Sequence, residues 1–212
     1  MRGNHQGQFQ GHRLGSGARF RVTMKTIVAA IAALLILPAS GFAATASFGA
    51  KLNQPGYSPV SKPKKCKWDA TKPCTRLPTF YAKPGHTGPT DYAPHSGTIT
   101  KIKLIAKNRG SLRIQLGETS NQALPMGEVE RNGPKIKYLG TGKVETFSVN
   151  IPVLKYDYVG FRAKRANTLN CKQPAGLESS FQFDPPLQPG APAQVSSWQE
   201  ECTHLIRAKM TY

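Results

Sequence analysis

Acids are scarce in this chain: eleven Asp and Glu stand against 29 Lys and Arg, a formal charge of +18 over 212 residues. A chain so basic has anions as its natural partners, because clustered cations raise the local potential and the rate at which counter-charges arrive. Long apolar runs are missing too. The run Ile27–Leu37 holds eleven residues, whereas a membrane-spanning helix needs about 20, so no stable span is expected once the N-terminal leader is gone. No Asn-x-Ser/Thr occurs, so no N-linked glycan is expected. Gly-x-Ser-x-Gly, His-Glu-x-x-His and the phosphate loop are all absent, and no known motif points to a cofactor.

The leader comes first among the features present. Met24–Ala46, "MKTIVAAIAALLILPASGFAATA", runs from a Lys through the apolar stretch to Pro38 and small residues, the layout of a secretory signal peptide cut after Ala43 or Ala46. Residues 1–23 are Gly- and Gln-rich, basic and without acid. They read as a disordered basic leader or as the product of a start codon placed upstream of the true Met24. The first 46 residues hold five basic side chains and no acid, so the exported remainder stays basic.

Four cysteines, Cys66, Cys74, Cys171 and Cys202, lie downstream of the leader. An even count in an exported chain predicts two disulfides. Of the three connectivities, Cys66–Cys74 with Cys171–Cys202 is the expected one. Cys66 and Cys74 with His86 and His95 lack the short spacings of structural zinc, so no metal is expected.

Residues 47–95 form a Pro- and Lys-rich arm. Prolines at 55, 59, 63, 73, 78, 84, 89 and 94 exclude a useful helix and leave room for short strands over Ala46–Leu52 and Arg76–Ala82. From residue 96 to 212 the pattern is strands. "TITKIKLIAK" sets Ile102, Leu104 and Ala106 against Lys101, Lys103 and Ile105, and "SLRIQL" alternates Leu112, Ile114 and Leu116 with polar residues. The Lys107–Gly110 link between them predicts a hairpin. Further strands are expected on either side of Gly140–Gly142, over "YDYVGFRA", and over the C-terminal "CTHLIRAKMTY", with a short helix conceivable only around Gln194–Cys202. The fold class is all-β: an antiparallel, jelly-roll-like β-sandwich with a long Pro-rich N-terminal arm.

The order "FGAKL", Cys pair, "SGTITKIKL", "GSLRIQL", "ETFSVNIPVLKYDYVGF", "LIRAKMTY" resembles a group of uncharacterised secreted bacterial β-sandwich proteins, common in actinobacteria. Their signature, apolar-Pro-Val, two linker residues, then Gly-Asp-x-apolar-Gly-apolar, corresponds to Ile151–Val153, Leu154–Lys155 and Tyr156–Phe161. Tyr156 replaces the usual Gly. The resemblance implies a fold and an extracellular setting and no activity.

Asp157 has a structural reading, accepting backbone donors of its own turn, and a functional one, holding a cation or a sugar hydroxyl. Lys101, Lys103, Arg113, Arg207 and Lys209 fall on outward strand positions. They make either a candidate anion-binding face or a solvated, aggregation-resistant one. Tyr156, Tyr158 and Trp198 suit stacking on sugar rings, or rim packing. No catalytic residue is assigned: Glu128 and Glu130 sit only two apart, and Asp91, His95 and Ser96 are crowded into one Pro-rich loop. Sequence-specific nucleic-acid reading is not expected, as no helix is available for a groove. The function read from these residues is a secreted, non-catalytic binding or structural protein whose partner is an anionic polymer or glycan. The alternative is an extracellular hydrolase of polysaccharide or cell-wall material.

Overall fold

A computed structural model describes residues 43–52, 72–80, 91–120, 124–164, 169–172, 178–200 and 202–212. The leader 1–23, the signal segment up to 42, most of the arm and Cys66 lie outside them, as does the side chain of Cys171. No helix occurs among the described residues. The strands are β1 (Thr45–Gly49), β2 (Cys74–Phe80), β3 (Gly97–Ile105), β4 (Gly110–Ser120), β5 (Met126–Tyr138), β6 (Val144–Val153) and β7 (Tyr158–Ala163). They continue as β8 (Cys171–Lys172), β9 (Glu178–Phe183), β10 (Gln194–Val195), β11 (Trp198–Glu200), β12 (Thr203–His204) and β13 (Ile206–Thr211). The described residues are therefore all-β, as the period-two alternation predicts.

The strands build an antiparallel sandwich. One sheet has the order β1-β13-β3-β6, the other β10-β5-β4-β7-β2-β9-β11, and β12 and β8 form a separate small ribbon. Alternation places Ile102, Leu104, Ile151, Val153, Ala208 and Met210 on the inner face of the four-stranded sheet. Leu112, Ile114, Leu116, Val159 and Phe161 meet them from the seven-stranded sheet. Each such side chain contributes about 1.5–3 kcal/mol on burial, so this seam is what holds the sheets together.

The Lys107–Gly110 link does not make a hairpin. β3 pairs with β13 and β6, whereas β4 pairs with β5 and β7, so the link crosses from one sheet to the other. A hairpin would leave Ile102 and Leu112 on one surface; the crossing turns them face to face across the core. The next link crosses back at Gly140, whose φ is +74° and where a Cβ would fall on the backbone of Asn108. Only glycine fits there.

The Gln194–Cys202 segment carries β10 and β11 in place of the short helix. Its Gln-Val and Trp-Gln-Glu pair at the two edges of the seven-stranded sheet, and edge pairing overrides weak helix propensity. The first half of β5, "MGEVERNG", alternates in burial at Gly127, Val129 and Gly133, but two of these three are glycines, so its sequence shows no apolar alternation. Register shifts against β4 at Arg113/Gln115 and at Leu116/Gly117 break its periodicity and accommodate Pro134 in the strand.

Candidate binding surfaces

On the four-stranded sheet, the inward Ile102 and Leu104 force Lys101 and Lys103 outward. The register sets Lys103 directly opposite Arg207, and Lys101 directly opposite Lys209. Rows across the sheet read Ser47, Lys209, Lys101, Ser148 and Gly49, Arg207, Lys103, Thr146. Like charges directly opposite each other destabilise a sheet by a few tenths of a kcal/mol or more. No ion pair to any of these four cations occurs among the described residues. The Arg207 guanidinium donates at 3.4 Å to the Gly49 and Ala50 carbonyls. Glu145 is the sole acid in these four strands, and it is turned to the Leu139 and Gly140 amides, which donate to its carboxylate at 2.8 Å each.

Arg113 does not belong to this face. It lies on β4 in the other sheet, opposite Lys135 and Arg162, and donates to the Gly133 carbonyl at 3.2 Å. Period-two alternation shows which way a side chain points relative to its own strand and is silent on which sheet the strand joins.

The second surface is the turn from β6 to β7. The Asp157 carboxylate accepts the Leu154 amide at 2.8 Å through Oδ2, and the Asp157 amide donates to the Leu154 carbonyl at 3.2 Å. Its other oxygen, Oδ1, is buried with no hydrogen-bond partner among the described residues. Burial pushes the Asp157 carboxyl up to about 6; the Leu154 hydrogen bond opposes the shift, and Glu130 adds to it. Tyr156 stands in left-handed backbone at φ +79°, a strained conformation for any residue with a Cβ. Gly160 in the same motif is a close approach: a Cβ there would strike the Arg76 carbonyl.

Tyr92, not anticipated from the sequence, joins this turn. It bridges Tyr158, and its ring lies 5.4 Å from that of Tyr156 (tilted) and 5.9 Å from that of Tyr158 (edge-on). Burial first, then Asp91, Tyr92 and Glu118, raise the Tyr158 phenol to about 12. Trp198 is elsewhere, half-exposed on edge strand β11, three strands from β7. His95 stacks on Tyr212 at 3.9 Å and the Ser96 hydroxyl accepts the Lys155 amide at 3.0 Å, so these two loop residues serve separate contacts.

A third cluster is internal. Arg76 and Glu200 form a buried ion pair at 2.5 Å, with the His204 Nε2 3.9 Å from the same carboxylate. Burial, then the Arg76 charge, push the His204 imidazole well below its usual range. Ser180, Glu200 and His204 are residue types of a hydrolase relay, but the cavity that Ser180 and His204 line with Arg76 is only about 10 Å³. That is about the room one water requires. Donor atoms of Glu200, Cys202 and His204 lie within 4.8 Å of one another. The guanidinium on Glu200 and the absence of a free cysteine among the described residues make the trio a poor cation site. No family model, curated protein or solved structure matches this chain.

Proposed function

We propose that this chain is an exported, disulfide-stabilised binding protein that holds an anionic polymer on the outer face of its four-stranded sheet, without catalysis. The observation that carries the reading is the pair of like-charge cross-strand neighbours, Lys103 with Arg207 and Lys101 with Lys209, on a face with no opposing acid among the described residues. A bound anion offsets what the two repulsive cross-strand pairs cost the sheet when no anion is there. Serines and threonines at 47, 146 and 148 flank the cations and supply hydroxyl donors to sulfate, phosphate or carboxylate oxygens. The repeat of charge along two strands suits a polymer better than a single small anion.

Export rests on the leader. β1 begins at Thr45 and the Ala44 amide donates to the Tyr212 carbonyl, so cleavage after Ala43 keeps the whole strand and cleavage after Ala46 removes its first pairs.

Retention on a heparin resin and on a polyphosphate resin tests the function. The wild-type protein binds both, with affinity falling steeply between about 50 and 500 mM salt as the charges are screened. The triple variant Lys101→Ser, Lys103→Ser, Lys209→Ser loses most of that retention. Salt-independent retention, or a triple variant that binds as well as wild type, overturns the proposal.

A further inference from the structure

We infer that Tyr92 and Tyr156 form a stacking site for a neutral sugar ring, separate from the cationic face. The two residues are 39% and 51% exposed. They pack on each other at 59° with their centroids 5.4 Å apart, so together they present an angled aromatic surface, called the trough below. Tyrosine faces pack against the C–H faces of a pyranose, and their phenols and neighbouring carboxylates can accept hydroxyl protons.

The charges around the trough select a neutral ligand. The Lys155 ammonium lies 4.8 Å from the Tyr156 ring centroid, so it holds the one ring face where a ligand cation would sit, and a sugar is left the solvent side of the ring pair. Asp91 and Glu118 act on Tyr158, and Glu118 and Glu130 act on Asp157, with Arg131, itself paired to Glu130, opposing them, so an arriving anion meets more carboxylates than cations. Five of the chain's eleven acids, Asp91, Glu118, Glu128, Glu130 and Asp157, interact in this one neighbourhood of a basic protein. A polyhydroxylated ring meets neither objection.

The trough is also held in advance. The Tyr156 amide donates to the Ala93 carbonyl at 2.9 Å and the Ala93 amide to the Asp157 carbonyl at 2.9 Å, which locks the two ring-bearing segments together. Asp157 closes the turn from within and Ser96 ties Lys155 from outside. Glycine would adopt the left-handed conformation of residue 156 without strain. A tyrosine held there, with its ring half in solvent, fits a side chain kept for contact with a ligand. Ordering cost on binding is then small, since the rings are already placed.

The test is NMR titration of the full exported chain with neutral hexasaccharides of β-1,4-glucose, β-1,4-mannose, β-1,4-xylose and α-1,4-glucose, following the tyrosine ring protons. At least one sugar saturates with a Kd tighter than about 10 mM and shifts the rings of Tyr92 and Tyr156. Tyr156→Gly weakens that sugar by about two- to tenfold, the scale of one lost stacking contact, and leaves Tm unchanged or higher because the strain is gone. Tyr92→Ala weakens it similarly. The triple lysine variant binds the sugar as wild type does, which keeps this result independent of the polymer reading. The inference is overturned if none of the four sugars binds, if Tyr156→Gly binds as well as wild type, or if a polyproline peptide shifts these rings and the sugars do not.

Discussion

The two outer faces of the sandwich are finished differently. On the seven-stranded sheet, Leu77, Val129, Phe181, Phe183 and Leu187 make a second small core, with Leu187 supplied by the segment that follows β9. A polar clasp lies beside it: the Leu187 amide donates to the Thr75 hydroxyl at 3.0 Å, Thr75 donates to Gln115 Oε1 at 2.7 Å, and Gln115 donates to the Asn132 side chain and the Leu187 carbonyl. On the four-stranded sheet Lys101 and Lys103 are exposed, and the outward cations of β3 and β13 have no ion pair among the described residues. A face that is covered must be apolar and hydrogen-bonded. A face left as bare charge is stable only in water or against a counter-charge.

The largest way to break that contrast is to empty the covered side. Phe183 is fully buried in the second core, so Phe183→Ala costs about 3–4 kcal/mol through lost transfer energy and the cavity left behind. It also loosens the clasp, and hydrogen exchange at the Leu187 amide accelerates along with the drop in denaturation midpoint. If the loss is below about 1 kcal/mol, the outer core contributes little and the two faces are more alike than they look.

Asp157 sits at the seam, where β6 leaves the four-stranded sheet and β7 enters the other. Its folded carboxyl titrates near 6, above the ordinary value of about 3.9. The native state therefore binds the proton more tightly than the unfolded chain does. Its contribution to stability is fully present below about pH 4 and is lost as pH rises through 6. A shift of that size corresponds to no more than about 3 kcal/mol. Asp157→Asn keeps an oxygen for the Leu154 amide and removes the titration, so its unfolding free energy is flatter between pH 4 and 6.5 and exceeds wild type at pH 7. An unchanged slope in the variant assigns the pH dependence to another group.

What was legible in the sequence follows from what alternation encodes. The outward direction of Lys101, Lys103, Arg207 and Lys209 is written in the apolar residues between them. Their adjacency depends on pairing between strands about a hundred residues apart, which no local pattern carries. For the same reason alternation alone does not separate Arg113, on β4 of the other sheet, from the lysines, nor a crossing between β3 and β4 from a hairpin. The Asp157 turn is local, and its hydrogen bond spans three residues. Tyr92 lies far along the chain in a Pro-rich stretch and meets the turn only through tertiary pairing. Arg76 was invisible as a buried charge because its partner, Glu200, is supplied from the far edge of the sheet.

The smallest effect is the most pointed, because it changes one charge on the bare face. Lys103→Glu puts an acid opposite Arg207 and turns a repulsive cross-strand pair into an attractive one. The gain in unfolding free energy is about 0.3–1 kcal/mol at low salt and shrinks toward zero near 1 M, as expected for an exposed pair. Heparin retention falls in the same variant, since the net charge of the face drops by two. Stability and binding then move in opposite directions from a single substitution. A variant that loses stability as well as binding would mean that Lys103 serves the sheet itself, and the bare face would then need another explanation than an anion.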